Sequence, residues 1–531
     1  MGNRTKALLV GIVALAAGAT AAAQTNLGSV TIGGNTTSAV TVTFASATTP
    51  ASIAVVTQGN PNLDFTNATG GTCAAGTAYA ANAACTVNVE FAPQFAGARY
   101  GAVVLEDANG VVATVYLQGT GLGPQVNFLP GTQSSIGSGL AYPEAIAVDA
   151  SGNVYISDSG NARVLKETLS GGSFTQSTVA SATDGGLSEP IGIAVDGAGN
   201  VYIADDPRLR VLKETLSAGG YIQSDVVSSG LTETFCLTVD NSGNVYFCQL
   251  GNSQVTKETL TANGYTQSMI GTGLSAPSGV AVDGAGNVYI ADGAGGAVYK
   301  ETPSPSGYVQ TTLPTSGLNR PDGLAVDGYG NVFIADLGNN RIVKLAPSGN
   351  SYTQSTVETG SVNEPVDVAV DGSGNLYIVE AAGCTCVVKV DFSDPPALSF
   401  ATTVYGAINS DSPQTVTVEN AGDVPLSFAI PANGYNPSIA GDFTLNSSGA
   451  SACQVEDSGT STEETLAPGA SCELPISFAP ETAGTFSGSL VLTDNNLDAA
   501  APGYTSQSIA LNGTESQATP TITWATPSAI T

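Results

Sequence analysis

One short motif recurs along the middle of the chain and constrains its fold more than any other feature. The pattern is Val-Asp, two variable residues, Gly-Asn and, two residues after the asparagine, an aromatic residue. A fixed period of 43 to 47 residues separates the copies, and such a period is typical of a repeat architecture. The six aspartates are Asp149, Asp196, Asp240, Asp283, Asp327 and Asp371.

Each copy contains four short runs of β-branched and aromatic residues, which predict four strands. Four strands per repeat form one blade of a β-propeller, so six copies predict a six-bladed ring. A solenoid is the rival architecture, but the sixth copy lacks its last run, and residues 127–139 before the first copy contain it. Gln133 stands there at the position that Gln176 holds in the first copy. We therefore expect this segment to complete the sixth blade and close the ring.

The glycines of the motif allow three interpretations: a phosphate cradle, a calcium loop or a hairpin. Pairing Val282 with Val288 leaves the loop Gly284–Gly286, whose last residue needs the left-handed conformation that glycine adopts easily. A phosphate cradle requires a helix after the glycines, and no helix is predicted there. One carboxylate per turn is too few for a calcium loop. We therefore predict that the six aspartates are structural turn residues that accept hydrogen bonds from backbone amides.

A second acidic position recurs at the end of the second strand in five copies. One interpretation is a turn cap, and the alternative is a ring of carboxylates at one mouth of the channel that attracts a cation such as Ca²⁺. These residues are the only metal-site candidates, and no catalytic or cofactor-binding residue is predicted. They are Asp158, Asp205, Asp292, Asp336 and Glu380.

The eight cysteines fall into pairs that are close in sequence, which favours disulfides in an exported chain. The predicted hairpin of the third copy places Cys236 opposite Cys248, within reach of a cross-strand bond. Two redox states are possible for Cys384 and Cys386: free thiols, or a strained disulfide that is easily reduced. The three expected disulfides are Cys73 with Cys85, Cys236 with Cys248, and Cys453 with Cys472.

The N-terminus is typical of a secretory signal. Basic residues Arg4 and Lys6 precede an apolar run, and three alanines, Ala21 to Ala23, provide a cleavage site. Residues 1–23 are therefore predicted to be a signal peptide, with a retained anchor as the alternative. The mature protein is expected to be extracellular or at the cell surface, reaching a membrane only through export or a missing C-terminal anchor.

Two flanking regions alternate polar and apolar residues over short runs, as in "CTVNVEFAP" and "CELPISFAP". This alternation predicts β-sandwiches at residues 24–124 and 397–515, on either side of a propeller at residues 125–396. The fold class is therefore all-β. Residues 516–531 are predicted to be a linker and, around Trp524, the start of a possible further Ig-like repeat.

The stretches "PSGVAVDGAGNVYIADGAGGAV" and "PDGLAVDGYGNVFIADLGNNRIVKL" resemble NHL repeats, and the resemblance covers roughly residues 127 to 392. The flanking regions resemble the Ig-like ASH or choice-of-anchor-D modules of bacterial surface proteins. The first resemblance implies a six-bladed propeller, and the second implies spacing or adhesion.

Charge and composition exclude some classes of function. The chain has 14 Lys plus Arg and 44 Asp plus Glu, a net charge of −30, which opposes binding of nucleic acid, including the RNA bound by some animal NHL proteins. Related propellers include lyases that rely on histidine, which this chain lacks, and gluconolactonase-like hydrolases that use carboxylates around a divalent metal. No break in the repeat symmetry indicates such a cluster.

We therefore expect a monomeric, non-catalytic scaffold that binds an extracellular protein or glycan, with no enzyme activity and no cofactor unless Ca²⁺ is bound. The alternative is a metal-dependent hydrolase or lyase of the lactonase type. Any binding site is expected where the repeat is irregular, at Cys236 to Gln249 and at Cys384 to Cys386.

Overall fold

The computed structural model describes residues 24–381, 386–404, 409–478, 480–501 and 504–517. The predicted signal peptide, Cys384 and the tail beyond residue 517 lie outside these residues. The regular secondary structure of the described residues is almost all strand, as the sequence predicts. Within it, no helix has the length and apolar character needed to cross a membrane. Four short 3-10 helices interrupt the strands: Ser159–Asn161, Leu250–Asn252, Leu337–Asn339 and Asn496–Asp498.

Residues 24–122 form two sheets that pack face to face, here called the N-terminal sandwich. Their inner faces share one apolar core, in which Val103 and Leu105 of one sheet meet Val87 and Phe91 of the other. The four-stranded sheet has the order Gln24–Thr31, Gly110–Leu122, Gly97–Asp107, Ser52–Val56, and the three-stranded sheet has the order Thr36–Thr43, Ala84–Phe91, Phe65–Ala68.

Six four-stranded antiparallel sheets follow, and we number them blades 1 to 6. Blade 1 contains Pro143–Val148, Val154–Asp158, Arg163–Ser170 and Ser173–Ser181. Blade 2 contains Glu189–Val195, Val201–Asp206, Arg210–Ser217 and Gly220–Val227. Blade 3 contains Thr234–Val239, Val245–Gln249, Gln254–Thr261 and Gly264–Ile270. Blade 4 contains Pro277–Val282, Val288–Asp292, Ala297–Ser304 and Gly307–Thr312. Blade 5 contains Pro321–Val326, Val332–Asp336, Arg341–Ser348 and Ser351–Thr356. Blade 6 contains Pro365–Val370, Leu376–Glu380, Val387–Asp391 and Thr132–Ile136.

The blades form a closed ring, which confirms the predicted propeller. The innermost strand of each blade contacts that of the next, and Pro365–Val370 contacts Pro143–Val148. The segment before blade 1 supplies the outer strand of blade 6, with Gln133 opposite Val390. Apolar side chains of neighbouring blades interdigitate; for example, Tyr155 of blade 1 shares a core with Ile203 of blade 2. Burial between blades explains why each copy repeats the same apolar positions.

Part of the closing segment differs from the prediction. Val126–Leu129 does not join the propeller but pairs antiparallel with Gln414–Asn420 of the C-terminal region. Phe128 is buried there, in the core of that region. The strand that leaves the N-terminal sandwich therefore ties the C-terminal region to the start of the propeller.

The described residues between 397 and 516 form a second pair of sheets, here called the C-terminal sandwich. Leu490 and Ile509 of one sheet pack with Val418 and Leu474 of the other. One sheet contains Ala397–Ser399, Thr403–Val404, Thr505–Ser516, Gly484–Asp494 and Ser438–Ile439, and the other contains Phe443–Leu445, Ser471–Phe478, Gln414–Asn420 and Val126–Leu129. Two small ribbons pair Leu426–Ser427 with Thr465–Leu466, and Tyr435–Asn436 with Glu456–Asp457.

Candidate active site in the central channel

The innermost strands of all six blades surround a cavity of about 290 Å³. Its volume is near the lower end of the range usual for small-molecule sites. Each inner strand begins at one end of the channel, next to the end of the second strand, and finishes at the aspartate turn. We call the first the open end and the second the closed end.

The aspartate turns at the closed end are held by a repeated set of hydrogen bonds. Asp283 Oδ1 accepts from the amides of Ala285 and Asn287, both at 2.9 Å, and Oδ2 accepts from Asn287 Nδ2 at 2.7 Å and the Tyr289 hydroxyl at 3.1 Å. The third loop residue, Gly286, has a φ of +78°. The other five turn aspartates accept from the same asparagine, and all but Asp327, whose repeat has phenylalanine, also accept from the tyrosine.

The N-terminal sandwich docks on these turns. The Tyr116 hydroxyl donates to Asp196 Oδ2 at 2.8 Å, and Gln118 Nε2 donates to the carbonyl of Gly284 at 2.9 Å. A Cβ on Gly328 would lie 2.7 Å from the backbone nitrogen of Ala98, so only glycine fits at this close approach. Arg99 and Tyr100 of the sandwich line the same cavity. The sandwich therefore covers this end of the channel.

The five acidic residues proposed as metal candidates do not line the cavity. Each is held within its own blade: Asp158 accepts from the Ala141 amide at 2.7 Å and from Arg163 Nε at 2.6 Å. The structure therefore places them as turn caps and does not bring them together. No cluster of three or more His, Cys, Asp or Glu suited to a metal ion occurs among the described residues. The other four metal candidates accept similar hydrogen bonds: Asp205 from Arg210, Asp336 from Arg341, Asp292 from the Ala276 amide, and Glu380 from the Asn363 amide.

A different set of acids lines the channel at the open end. Glu144, Asp322 and Asp367 belong to blades 1, 5 and 6, which are neighbours in the ring. The corresponding inner-strand positions of blades 2 and 3 present Ile191 and Phe235 to the cavity. The open end is therefore acidic on one side and apolar on the other.

Asp367 is fixed in place by backbone amides of the neighbouring blade 1 and of its own blade. Its Oδ2 accepts from the amide of Ile146 in blade 1, and its Oδ1 from the amide of Val368, both at 2.9 Å. Its carboxyl also fills the space beside Gly323 of blade 5, where an added Cβ would lie 2.1 Å from Oδ1. The side chain therefore spans three blades at the seam where the ring closes.

Asp322, next to Gly323, has no hydrogen-bond partner among the described residues. Burial, together with the charges of Asp367 and Glu144, raises its pKa to about 8, and the opposing charge of Arg320 offsets this only in part. Burial raises the pKa of Asp367 to about 7, against the opposing effect of the two amides. Burial, and the charge of Glu189, also raise the pKa of Glu144. Burial thus raises the pKa values of both carboxyls toward the range that suits acid and base catalysis near neutral pH.

The backbone is unusual in the same three blades. The residue before the first proline of the inner strand has a positive φ in each: 49° at Tyr142, 53° at Arg320 and 44° at Glu364. This conformation is disfavoured for such residues and is concentrated at functional sites. Tyr142 is also 71% exposed beside the mouth. The sector of blades 5, 6 and 1 therefore departs from the repeat in both side chains and backbone.

Sequence reasoning missed this site, although a signal was present. The third residue of the inner strand is small in four repeats, and Asp367 replaces it in the sixth. The positions expected to be irregular, Cys236 to Gln249 and Cys384 to Cys386, do not include this replacement. The aligned residues are Ala145, Gly192, Cys236, Gly279, Gly323 and Asp367.

The predicted disulfides are present. Cys236 bonds Cys248 with a Cα–Cα distance of 5.1 Å, on the apolar side of the channel. The other two predicted bonds join the cores of the sandwiches, Cys73 with Cys85 at 4.9 Å and Cys453 with Cys472 at 4.8 Å. These bonds are typical of an oxidising compartment.

Comparison with known proteins supports the repeat and finds distantly similar solved structures. Residues 140–166 match the family model of the NHL repeat. No curated relative matches the sequence. A gluconolactonase from Xanthomonas campestris is similar at 15% identity and a TM-score of 0.41, covering 51% of this chain and 94% of that chain. A virginiamycin B lyase from Staphylococcus aureus is similar at 14% identity and a TM-score of 0.37, covering 67% and 100%. A PQQ-bound aldose sugar dehydrogenase from Streptomyces coelicolor is similar at 14% identity and a TM-score of 0.36, covering 51% and 98%.

These solved structures correct one expectation. The sequence was expected to encode a protein without enzyme activity, yet the three structures just named are of enzymes. That prediction is wrong. At such low identity the resemblance concerns the fold, so the chemistry of this chain has to be argued from its own channel.

Proposed function

We propose that the central channel is the active site of a hydrolase or lyase, in which Asp322 and Asp367 act as an acid–base pair on a small, uncharged polar molecule. The observation that supports this most directly is geometric. A carboxyl with no hydrogen-bond partner among the described residues faces a ligand-sized cavity, beside a second carboxyl that backbone amides hold in place.

The two carboxyls are suited to different roles. Amide donors to Asp367 stabilise its ionised form, so it is the base that removes a proton from an attacking water or from the substrate. Asp322 lacks such donors and has the higher pKa, so it is the acid that returns a proton to the leaving oxygen. Because the charges interact, the pair titrates as one unit with two apparent pKa values.

Charge restricts the substrate. The acidic side of the open end and the net charge of −30 repel anions. The cations near the closed end are already paired, Arg99 with Asp64 at 2.8 Å and Lys344 with Glu419 at 2.7 Å. A neutral substrate such as a lactone or a glycan fits these surroundings better than a phosphorylated or carboxylated one.

Three further proposals concern the rest of the chain: its export, the role of the two sandwiches and Ca²⁺ binding. We propose that the signal-like N-terminus directs export to the cell exterior or surface, in agreement with the disulfides. The two sandwiches, proposed to be Ig-like modules, act as spacers. The proposed division into domains is the predicted one, except that Val126–Leu129 belongs to the C-terminal sandwich. Binding of Ca²⁺ stays a prediction. It is tested by comparing the activity in added Ca²⁺ with the activity in a chelator.

A substrate screen tests the proposal. The full chain without its leader is incubated with neutral lactones and oligosaccharides, with and without divalent cations, and release of acid or reducing ends is followed. The expected result is turnover of at least one class, lost in Asp322→Asn and kept in the matched control Asp225→Asn, whose exposed carboxylate lies outside the cavity. Equal turnover by Asp322→Asn and the wild type would refute the assigned role.

A further inference from the structure

The N-terminal sandwich contacts the aspartate turn of every blade. Tyr116, Gln118 and Ala98 donate hydrogen bonds to the turns of blades 2, 4 and 5. The contacts at the other three turns are Asn60 with Asn153 of blade 1 at 3.4 Å, the Leu117 carbonyl with Asn241 Nδ2 of blade 3 at 2.7 Å, and Arg99 Nη1, which lies 2.6 Å from the position of a Cβ on Gly372 of blade 6. The closed end is therefore covered around the whole circumference of the channel.

The floor of the cavity is held in place by a buried ion pair. Arg99 and Tyr100 of the sandwich line the cavity, and Arg99 pairs with Asp64 at 2.8 Å. The two charged side chains are 8% and 1% exposed, and a buried pair of this kind is costly to separate. The channel is therefore a blind pocket, which a ligand enters and leaves through the open end.

The size of the pocket limits what it holds. Its volume of about 290 Å³ corresponds to about ten water molecules at about 30 Å³ each. One sugar ring with its hydroxyl groups has a comparable number of non-hydrogen atoms. Any further units of a saccharide chain therefore have to lie outside the open end.

The walls of the pocket match the two kinds of surface on such a ring. Phe235 of blade 3 is half-buried, lines the cavity and lies across the six-bladed ring from Asp367 of blade 6. Its strand is anchored by the next residue, since Cys236 bonds Cys248. A pyranose has hydroxyl groups around its rim and C–H groups on its faces. Its rim therefore suits the carboxyl side of the pocket, and one face suits the aromatic side.

We propose that the channel is a blind pocket for the terminal ring of a neutral saccharide chain, which enters end-on and packs one face on Phe235. This inference rests on the proposed function for the position of the reacting bond, at the open end beside Asp322 and Asp367. There Asp367 takes a proton from a water whose oxygen bonds to the ring carbon, while the bond from that carbon to the leaving oxygen breaks and Asp322 protonates that oxygen. A proton then returns from Asp367 to Asp322 through solvent. Each turnover consumes one water and releases one monosaccharide and a chain one unit shorter.

The first test measures binding, so it does not depend on turnover. Saturation-transfer NMR of the full chain carrying Asp322→Asn is recorded with maltohexaose, cellohexaose and xylohexaose. At least one of these chains is expected to bind and to receive the strongest transfer at one terminal ring. α-Cyclodextrin, which contains the glucose units of maltohexaose in a closed circle without ends, is expected to receive none. Strongest transfer to internal rings, binding of α-cyclodextrin as tight as that of a linear chain, or no binding of any linear chain would overturn the inference.

The second test concerns the apolar wall. In the same Asp322→Asn background, Phe235→Leu is expected to weaken binding of the linear chain about three- to tenfold in titration calorimetry, because the aromatic face is lost. Phe235→Tyr should restore it. The matched control is Phe174→Leu, at a half-buried phenylalanine of blade 1 outside the cavity, which should bind like its parent. Equal binding by Phe235→Leu and its parent would overturn the placement of the ring, and if Phe235→Leu does not fold, the NMR result decides alone.

Failure of this inference is distinguishable from failure of the proposed function. Turnover of a small lactone by the wild type, without binding of any linear chain, would overturn the end-on pocket and leave the acid–base pair in place. End-on binding without turnover by the wild type would support the pocket and refute the role of Asp322 and Asp367.

Discussion

The two ends of the propeller channel use aspartate in opposite ways. At the closed end, Asp283 accepts four hydrogen bonds from its own turn, and the same arrangement recurs around the ring. At the open end, Asp322 accepts none from the described residues, and Asp367 occurs in a single blade. The comparison teaches that the repeated acids of this chain build the ring, whereas the acids that break the repeat are available for chemistry.

The largest expected effect concerns the open end. Asp322→Asn removes the proposed acid without changing size, and kcat/KM for a substrate from the screen is expected to fall about 10²- to 10⁴-fold. The free energy of unfolding should not decrease, because the neutral amide avoids the cost of a buried charge. Denaturant titration alongside the kinetics would check both. A variant that is destabilised and fully active would place Asp322 with the structural acids.

The matched change at the closed end should have the reverse outcome. Asp283→Ala removes four hydrogen bonds and leaves turn donors without partners, so the free energy of unfolding is expected to fall by about 3 kcal/mol. Turnover measured well below the midpoint of unfolding should stay within a few-fold of the wild type. Urea titration gives the first quantity, and loss of activity in a fully folded variant would contradict the proposed division of roles.

The apolar side of the open end offers a third comparison. Replacing Cys236 and Cys248 together by alanine removes a cross-link between residues 12 apart, which corresponds to at most about 3 kcal/mol. We expect a loss of about 2 kcal/mol, read from thermal or denaturant unfolding of oxidised protein. No change in stability would indicate that strand pairing alone holds this side of the channel.

The smallest expected effect is on the pH dependence of stability. Burial raises the pKa values of Asp322 and Asp367 in the folded chain to about 8 and 7, above the usual value near 3.9 in an unfolded chain. The folded protein therefore binds more protons, and its stability decreases as pH rises from about 5 to 8. The melting temperature should fall by a few degrees over this range and fall less in Asp322→Asn. An identical slope in variant and wild type would contradict the raised pKa.

Much of the fold could be predicted because its determinants are local. The turn of Asp283, Gly286 and Asn287 needs only neighbours in sequence, and its repetition counts the blades. The strand Val126–Leu129 was placed wrongly, because its alternation fits any sheet edge and only contact with Gln414–Asn420 selects the partner. The metal candidates were misjudged for the same reason. Asp158 recurs along the sequence as a binding residue would, but in the folded chain its carboxylate accepts a hydrogen bond from Arg163.

By itself the sequence determined the repeat, the ring, its closure by residues from before the first blade, and three disulfides, because each depends on period, turn chemistry or short spacing. Only the tertiary structure decided that the N-terminal sandwich covers one end of the channel and that Glu144, Asp322 and Asp367 meet at the other. These residues are up to 223 positions apart, from Glu144 to Asp367. Closing the ring brings blade 6 beside blade 1, and burial at that seam, which no local pattern records, raises the pKa of Asp367.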